Sequence, residues 1–359
     1  MKSKLVGLTA AFTLAIFAQQ AIAADVSPEL KKTIEAANKE ETLRLVWSGS
    51  TLGGSAGAKR AEDEMRKKFG TTFAVRFAPG AGSMAEVGAT ILAEQKANRP
   101  SHTDIYLGPT TFVARFADAG MFQSADWSAL LPGRVTPEIA EANGTAVRVV
   151  SFVAGVTYNT KLLPNPPTTV EGWLAPNLKG KIATTTAAAG LDVLAANDFW
   201  GEDKTLAFAA KLSDHLAGVM RCGETNRISS GEYWALIFDC GGSDATLAKA
   251  TGAPVDQAIA SDFVQIRFFY MGVPKNSASP NAAKVFISYM LSPEGQKFAW
   301  DTWGSDLHSF PESNIRKPLE TLREKGATPR VLDINWTNEH PETGVAREKI
   351  LKVLRAAER

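Results

Sequence analysis

The chain is poor in the residues that do most protein chemistry. Its 359 residues include only 2 cysteines, 5 tyrosines and 4 histidines: His102, His215, His308 and His340. The histidines are scattered, with no H-x-x-x-H or H-E-x-x-H spacing, so no metal site or cofactor is expected. Net charge is nearly absent as well. The formal charge is +1, and setting aside Lys2 and Lys4 as part of a leader takes it to −1 (+1 − 2). That balance leaves no electrostatic footprint for nucleic acid or an anionic membrane. Beyond the first residues no apolar run is long enough to cross a bilayer. No internal repeat or low-complexity tract appears.

What the chain has begins with a leader. Lys2 and Lys4 precede an apolar stretch from Leu5 to about Ala18, and Ala21-Ile22-Ala23 offers an A-x-A cleavage site before Ala24. This predicts a secretory signal over residues 1–23 and an exported mature protein, most simply in a periplasm. No cysteine stands near the cleavage point to carry a lipid. In an oxidising compartment Cys222 and Cys240 are expected to pair. Closing a loop of that length contributes about 3 kcal/mol in the chain-entropy model.

Strand-like and helix-like segments then alternate. Ser27-Pro28 opens a helix by the Ser N-cap, Pro N1 rule. Strand Thr42–Trp47, helix Ala58–Phe69, strand Thr72–Phe77, helix Met84–Ala97, strand Asp104–Leu107 and a helix through Ala119 follow. Such serial units imply a parallel sheet with helices on its faces, whose carboxyl-end loops gather in one crevice. The apolar run Ala146–Tyr158 predicts one strand that leaves a first lobe for a second. Strand Lys181–Thr185, helices Leu191–Phe199 and Lys204–His215, and strand Trp234–Phe238 fill that second lobe. The apolar run Phe263–Val273 is the return path. Ser279-Pro280 and Ser292-Pro293 repeat the helix-start signal, and Ala282, Phe286, Tyr289 and Met290 make one apolar face. The charged tail from Lys317 to Arg359 predicts solvated helices.

The loop Ser48-Gly-Ser-Thr-Leu-Gly-Gly-Ser-Ala-Gly57 lets backbone N–H groups approach a guest beside a helix start. Its catalytic resemblances fail. Gly53-Gly54-Ser55-Ala56-Gly57 satisfies G-x-S-x-G, but Ser55 stands eight residues beyond Trp47 rather than on a tight turn off the strand. A secreted α/β serine hydrolase using Ser55 is therefore the alternative from another class. Gly49–Ser55 imitates a P-loop without its lysine. Gly80–Ala85 imitates a dinucleotide fingerprint whose acidic partner, Asp104, begins a strand instead of ending one.

The stretch Gly272-Val-Pro-Lys-Asn-Ser-Ala-Ser-Pro-Asn-Ala-Ala-Lys-Val-Phe-Ile-Ser-Tyr-Met-Leu-Ser-Pro-Glu-Gly-Gln296 resembles the periplasmic solute-binding proteins of ABC importers. The resemblance is to their ferric-iron-binding-like group, which also serves thiamine, polyamine and phosphonate importers. Ala36–Trp47, Gly82–Asp104, Val156–Leu162, Pro166–Ile182 and Ser230-Gly231-Glu232 agree in order. The resemblance implies an α/β, type II periplasmic binding protein with two α/β lobes joined by a two-strand hinge and a ligand cleft between them. Residues 24–152 plus 270–310 would form lobe I, 153–269 lobe II, and 311–359 a C-terminal helical segment packing on the lobes. The implied protein is a non-enzymatic monomer that closes on a small solute and docks on an inner-membrane permease, or alternatively signals to a membrane sensor.

Ferric-binding relatives supply a His or Glu from the first lobe and a Tyr pair from the second. Here Ser50, Thr51 and Pro109 stand where the former would lie, and Ile237-Phe238-Asp239-Cys240 offers no Tyr-Tyr. Thr184-Thr185-Thr186-Ala187 matches the turn that holds an oxyanion in such proteins. The expected ligand is an oxyanion-bearing small molecule, or an iron complex carrying its own chelator. Expected polar contacts are Ser48, Ser50, Thr51, Gly82, Ser83, Thr110, Thr185 and Thr186. Tyr158, Phe238 and Tyr270 are expected as aromatic walls, and Asp239 as a partner for an amine.

Overall fold

The computed structural model describes residues 26–80, 83–185 and 190–355. The leader, Gly82 and Thr186 lie outside the described residues. The first half opens with α1 (Pro28–Ala37), which Ser27 caps by accepting a hydrogen bond from the Leu30 N–H, with Pro28 in the first turn. Strands β1 (Thr42–Trp47) and β2 (Ala74–Pro79) pair in parallel around α2 (Gly54–Phe69). Helix α3 (Met84–Lys96) starts at a capping box in which Ser83 and Glu86 satisfy each other's backbone N–H groups. Strand β3 (Tyr106–Pro109) runs directly into α4 (Thr110–Asp118).

The predicted single strand Ala146–Tyr158 is in fact two, β4 (Ala146–Val153) and β5 (Val156–Asn159). The break falls at Ala154-Gly155. A Cβ on Gly155 would stand 2.6 Å from the Ala258 carbonyl oxygen, so only glycine lets the two crossing segments touch. Beyond it come β6 (Ile182–Thr185), α5 (Leu191–Leu194), α6 (Gly201–Ser213), β7 (Leu216–Met220), β8 (Ala235–Ile237), α7 (Ser243–Ala250) and β9 (Val255–Ala258). The expected helix Leu191–Phe199 thus stops at Leu194, and β7 and β9 were not foreseen. Both are short and poorly alternating, and each takes its place from its neighbour: β7 beside β6, β9 beside β5. These strands form one sheet in the order β7-β6-β8-β5-β9.

The chain returns through β10 (Gln265–Gly272) and then α8 (Pro280–Met290) and α9 (Pro293–Trp303), both starting at the predicted Ser-Pro signals. It ends in α10 (Arg316–Glu324), β11 (Arg330–Leu332), α11 (Ile334–Glu339) and α12 (Glu342–Arg355). Strand β10 organises the first sheet. It pairs antiparallel with β4 along one edge, while β3 and β11 lie end to end along the other.

Two large apolar cores result. One gathers α1 to β4 with β10, α8 and α9, and the other gathers β5 to β9 with α12. The tail is not simply a solvated face. Ile334 belongs to the first core, while Ala346, Ile350 and Leu354 of α12 belong to the second. The tail is anchored by a buried network: Glu141 accepts from Arg148 Nε (2.5 Å), the Tyr270 hydroxyl (2.6 Å) and the Ile334 N–H (3.1 Å). Burial pushes the Tyr270 phenol far above its usual range, so it stays a donor.

His308 sits against β4, its Nδ1 2.7 Å from the Ser151 hydroxyl. Burial, aided by Arg148, lowers its pKa from 6.5 to about 4. Between those values the unfolded chain binds more protons than the native state. Stability therefore rises with pH across this window and is lost as pH falls through it, by up to about 3 kcal/mol for this group. His308→Gln, which can keep a bond to Ser151, is expected to lose less stability between pH 6.5 and 4 than the parent in urea titrations at each pH. Parallel losses in the two proteins would contradict this assignment.

Candidate functional site

A cavity of ≈ 210 Å³ lies where the two cores meet the tail. Its first wall is the start of α4: Pro109, Thr110, Thr111 and Phe112. No side chain caps this helix, so its first turn carries the helix's partial positive charge beside the cavity. The floor is the β4–β10 pair, which contributes Phe152, Arg267, Phe268 and Phe269. Phe152 and Phe269 meet edge to face at 5.2 Å, and Trp303 packs behind both. The opposite wall is Asp192 and Val193 of α5 with Cys240, and the tail adds Leu332, Trp336, Thr337, Thr343 and Arg347. The cavity thus sits at the carboxyl end of β3, as the crevice rule for such sheets requires.

Its charges do not cancel. Arg267 donates from Nε to Gln265 Oε1 (3.0 Å) and meets Asp192 Oδ1 at 3.3 Å. Arg347 has no hydrogen bond or ion pair among the described residues. Among the described residues the charged lining groups are therefore Arg267, Arg347 and Asp192, a net +1. With the helix terminus and four threonines in the lining, the chemistry on offer is recognition of an anionic group against aromatic surface.

Of the residues singled out from the sequence, Thr110 lines this cavity, its hydroxyl donating to the Leu332 carbonyl (3.0 Å). Ser48 and Ser50 are exposed at the end of β1, and Ser48 Oγ lies 2.6 Å from Thr51 Oγ1, which is buried. The glycines of that loop serve packing. A Cβ on Gly57 would overlap the Leu52 carbonyl oxygen, so the turn can fold back onto α2 only with glycine there. Ser55 is exposed in the first turn of α2, and each of the four histidines makes its side-chain contact elsewhere. Ser83 caps α3.

Thr185 is buried at the end of β6. Tyr158 is half-buried against the second core, and Tyr270 is enclosed in the first with its hydroxyl on Glu141. Phe238, at φ 53°, lines a separate void of ≈ 20 Å³ with Gly155 and Gln265.

Asp239 is buried at the junction of the cores. Its carboxylate accepts from the Gly155 N–H (3.1 Å), Thr157 Oγ1 (2.8 Å), the Gly241 N–H (3.0 Å) and Gln257 Nε2 (3.1 Å). Burial raises its pKa against the pull of these donors. Every partner is protein, so Asp239 ties β5, β8 and β9 together where the chain crosses. Cys222 and Cys240 form the expected disulfide, Cα–Cα 5.8 Å, next to it.

Sequence reasoning missed Arg267, Phe152, Asp192, Trp336 and Arg347. Arg267 left a signal, since it is the sole charge in the run Phe263–Val273. Arg347 left none, being one charge among many in the tail.

Comparison with known proteins places this geometry. A family model described as bacterial extracellular solute-binding protein matches residues 63–313. An uncharacterized protein of Haemophilus influenzae is 27% identical over 129 residues, 35% of this chain and 37% of that protein, so the match spans little more than a third of that relative. The substrate-binding protein of an ABC transporter from Agrobacterium tumefaciens superposes with a TM-score of 0.66 at 17% identity, covering 90% of this chain and 97% of that one. Iron-bound HitA from Pseudomonas aeruginosa gives 0.65 at 17%, covering 89% and 99%. AfuA from Actinobacillus pleuropneumoniae, with fructose-6-phosphate bound, gives 0.59 at 18%, covering 88% and 97%. At these identities the likeness is one of fold, and that fold is the type II periplasmic binding protein.

The Asp239 network makes a direct prediction. Asp239→Ala strands four buried donors and is expected to cost about 3 kcal/mol in urea denaturation, with Asp239→Asn costing less. A D239A protein as stable as the parent would remove this network from the junction.

Proposed function

Because the chain belongs to the bacterial extracellular solute-binding protein family, we propose that it captures a small organic anion in the cavity between its cores and delivers it to the permease of an ABC importer. The observation that carries this reading is Arg267. It projects from the floor strand into an aromatic cavity, and Asp192, its carboxylate partner, stands at 3.3 Å on the opposite wall. An arriving oxyanion takes over part of that guanidinium. The Thr111 hydroxyl and the backbone N–H groups at the uncapped start of α4 supply the remaining donors, the Thr110 hydroxyl being spent on the Leu332 carbonyl.

Closure of the two cores around the solute is the switch a permease reads, as in hinged binding proteins generally. The protein works in the periplasm after loss of residues 1–23, as a monomer and without catalysis. No helix among the described residues is long and apolar enough to cross a membrane. Two proteins of the same fold hold iron and fructose-6-phosphate respectively. A bare ferric ion finds a single carboxylate, Asp192, among the described lining residues, whereas an anion finds two arginines. An iron complex carrying its own carboxylates satisfies the same arrangement.

The test is a thermal-shift screen of the mature chain against inorganic phosphate, phosphate esters, phosphonates, aromatic carboxylates, ferric citrate, thiamine and spermidine. A ligand at a hundredfold excess over its Kd adds about 2.7 kcal/mol of stability. An organic anion is expected to shift the melt and the cations to leave it. Arg267→Met should weaken the selected anion roughly 10- to 100-fold, the range for one charge-assisted hydrogen-bonded contact. A melt shifted by spermidine or thiamine alone, or an R267M protein that binds the anion as the parent does, would contradict the reading.

A further inference from the structure

The matched family region ends at residue 313, yet the segment after it supplies a whole side of the cavity. Resting on the anion reading above, we propose that the C-terminal segment from β11 through α12 is a third wall of the solute site. In this role Arg347 binds the solute's anionic group and Trp336 holds an apolar or aromatic body.

The segment is built to hold a fixed place relative to both cores. Strand β11 extends the first sheet beside β10, and Asp333 meets Arg148 at 3.3 Å while capping α11 through the Trp336 N–H. Trp336 lies against His340, ring centroids 4.5 Å apart, and His340 Nδ1 is 2.9 Å from Glu342. Glu342 in turn accepts from the Asn197 N–H of the second core, and α12 packs on α5 and α6. The segment therefore bridges the two cores beside the cavity: Ile334 packs in the first, while Leu332, Trp336 and α12 pack against the second. Arg330, bonded to Asp198 on the far side, adds a further tie.

Among the described lining residues Arg347 is the charged side chain without a partner. Arg267 has Asp192, and no anionic lining residue meets Arg347. A half-buried guanidinium at a cavity wall without a carboxylate is completed by a ligand's oxyanion. The net +1 of the lining matches a solute of one negative charge. Phe152, Phe269 and Trp336 offer faces and edges to a flat apolar body. The solute class is therefore a compact organic monoanion such as an aryl carboxylate or an aryl sulfonate, in preference to a bare inorganic anion.

Calorimetric titration of the mature protein with benzoate, benzenesulfonate, glycerol 3-phosphate and inorganic phosphate tests this. The aryl anions are expected to bind more tightly than the other two. Arg347→Met is expected to weaken them at least 10-fold, and Arg347→Lys by less. Hydrogen exchange of the unmodified protein is expected to slow over residues 334–348 when an aryl anion is added, a readout that does not depend on any variant folding. If R347M binds as the parent while R267M does not, or if the segment's exchange is unchanged on binding, the third wall is overturned and the anion reading stands. If the parent binds none of the four anions, the anion reading fails and this inference falls with it.

Discussion

The antiparallel pairing of β4 with β10 is the contact on which the rest of the molecule depends. Both strands are almost wholly buried, and their register from Ile266–Val153 to Met271–Val147 aligns the two long apolar runs of the sequence. The pair places Phe152, Arg267, Phe268 and Phe269 on the cavity floor. It also fixes where the chain leaves and re-enters the first core, because β4 ends and β10 begins at the junction. Without it the cavity would have no floor. A strand with three partners leaves little of its backbone unpaired, which is how a charged side chain can be held at the bottom of a cleft.

At the junction, polar groups must be satisfied away from water. Asp239 does this for one crossing through four donors, and Glu141 anchors the tail through three. Both carboxylates are consumed by protein partners. Among the described lining residues the charges left are Arg347, and Arg267, which shares its guanidinium with Asp192. The proposed selection of an anion rests on this separation of structural from available charge, which follows from where hydrogen bonds are already made.

Much of this was legible in the sequence, and the limits have physical causes. The Ser-Pro helix starts are local signals, and each appears in the fold, while the first apolar run divides into two strands and Ser83, expected as a ligand contact, caps a helix. The paired cysteines and the family resemblance were equally readable. In the loop Ser48–Gly57 the small residues that admit a ligand are the same ones that let a turn pack on a helix, and Gly57 is needed for the Leu52 carbonyl. Asp239 and Tyr270 looked available because sequence does not show partners. Phe152 and Arg267, far apart in the chain, meet only because β4 and β10 pair. Arg347 acquires its position from a tail whose route across both cores depends on long-range contacts with Glu141 and Asn197.

The central claim is that the cavity between the cores is where the solute sits and that its arginines are why. The most direct measurement is a crystal structure of the mature protein with an aryl anion bound. The account predicts ligand density against Phe152 and Phe269, with the anionic group within hydrogen-bond distance of Arg267 and the start of α4. Density elsewhere, at the Ser48–Thr51 turn or against Tyr158, with Arg267 still bonded to Asp192, would contradict it.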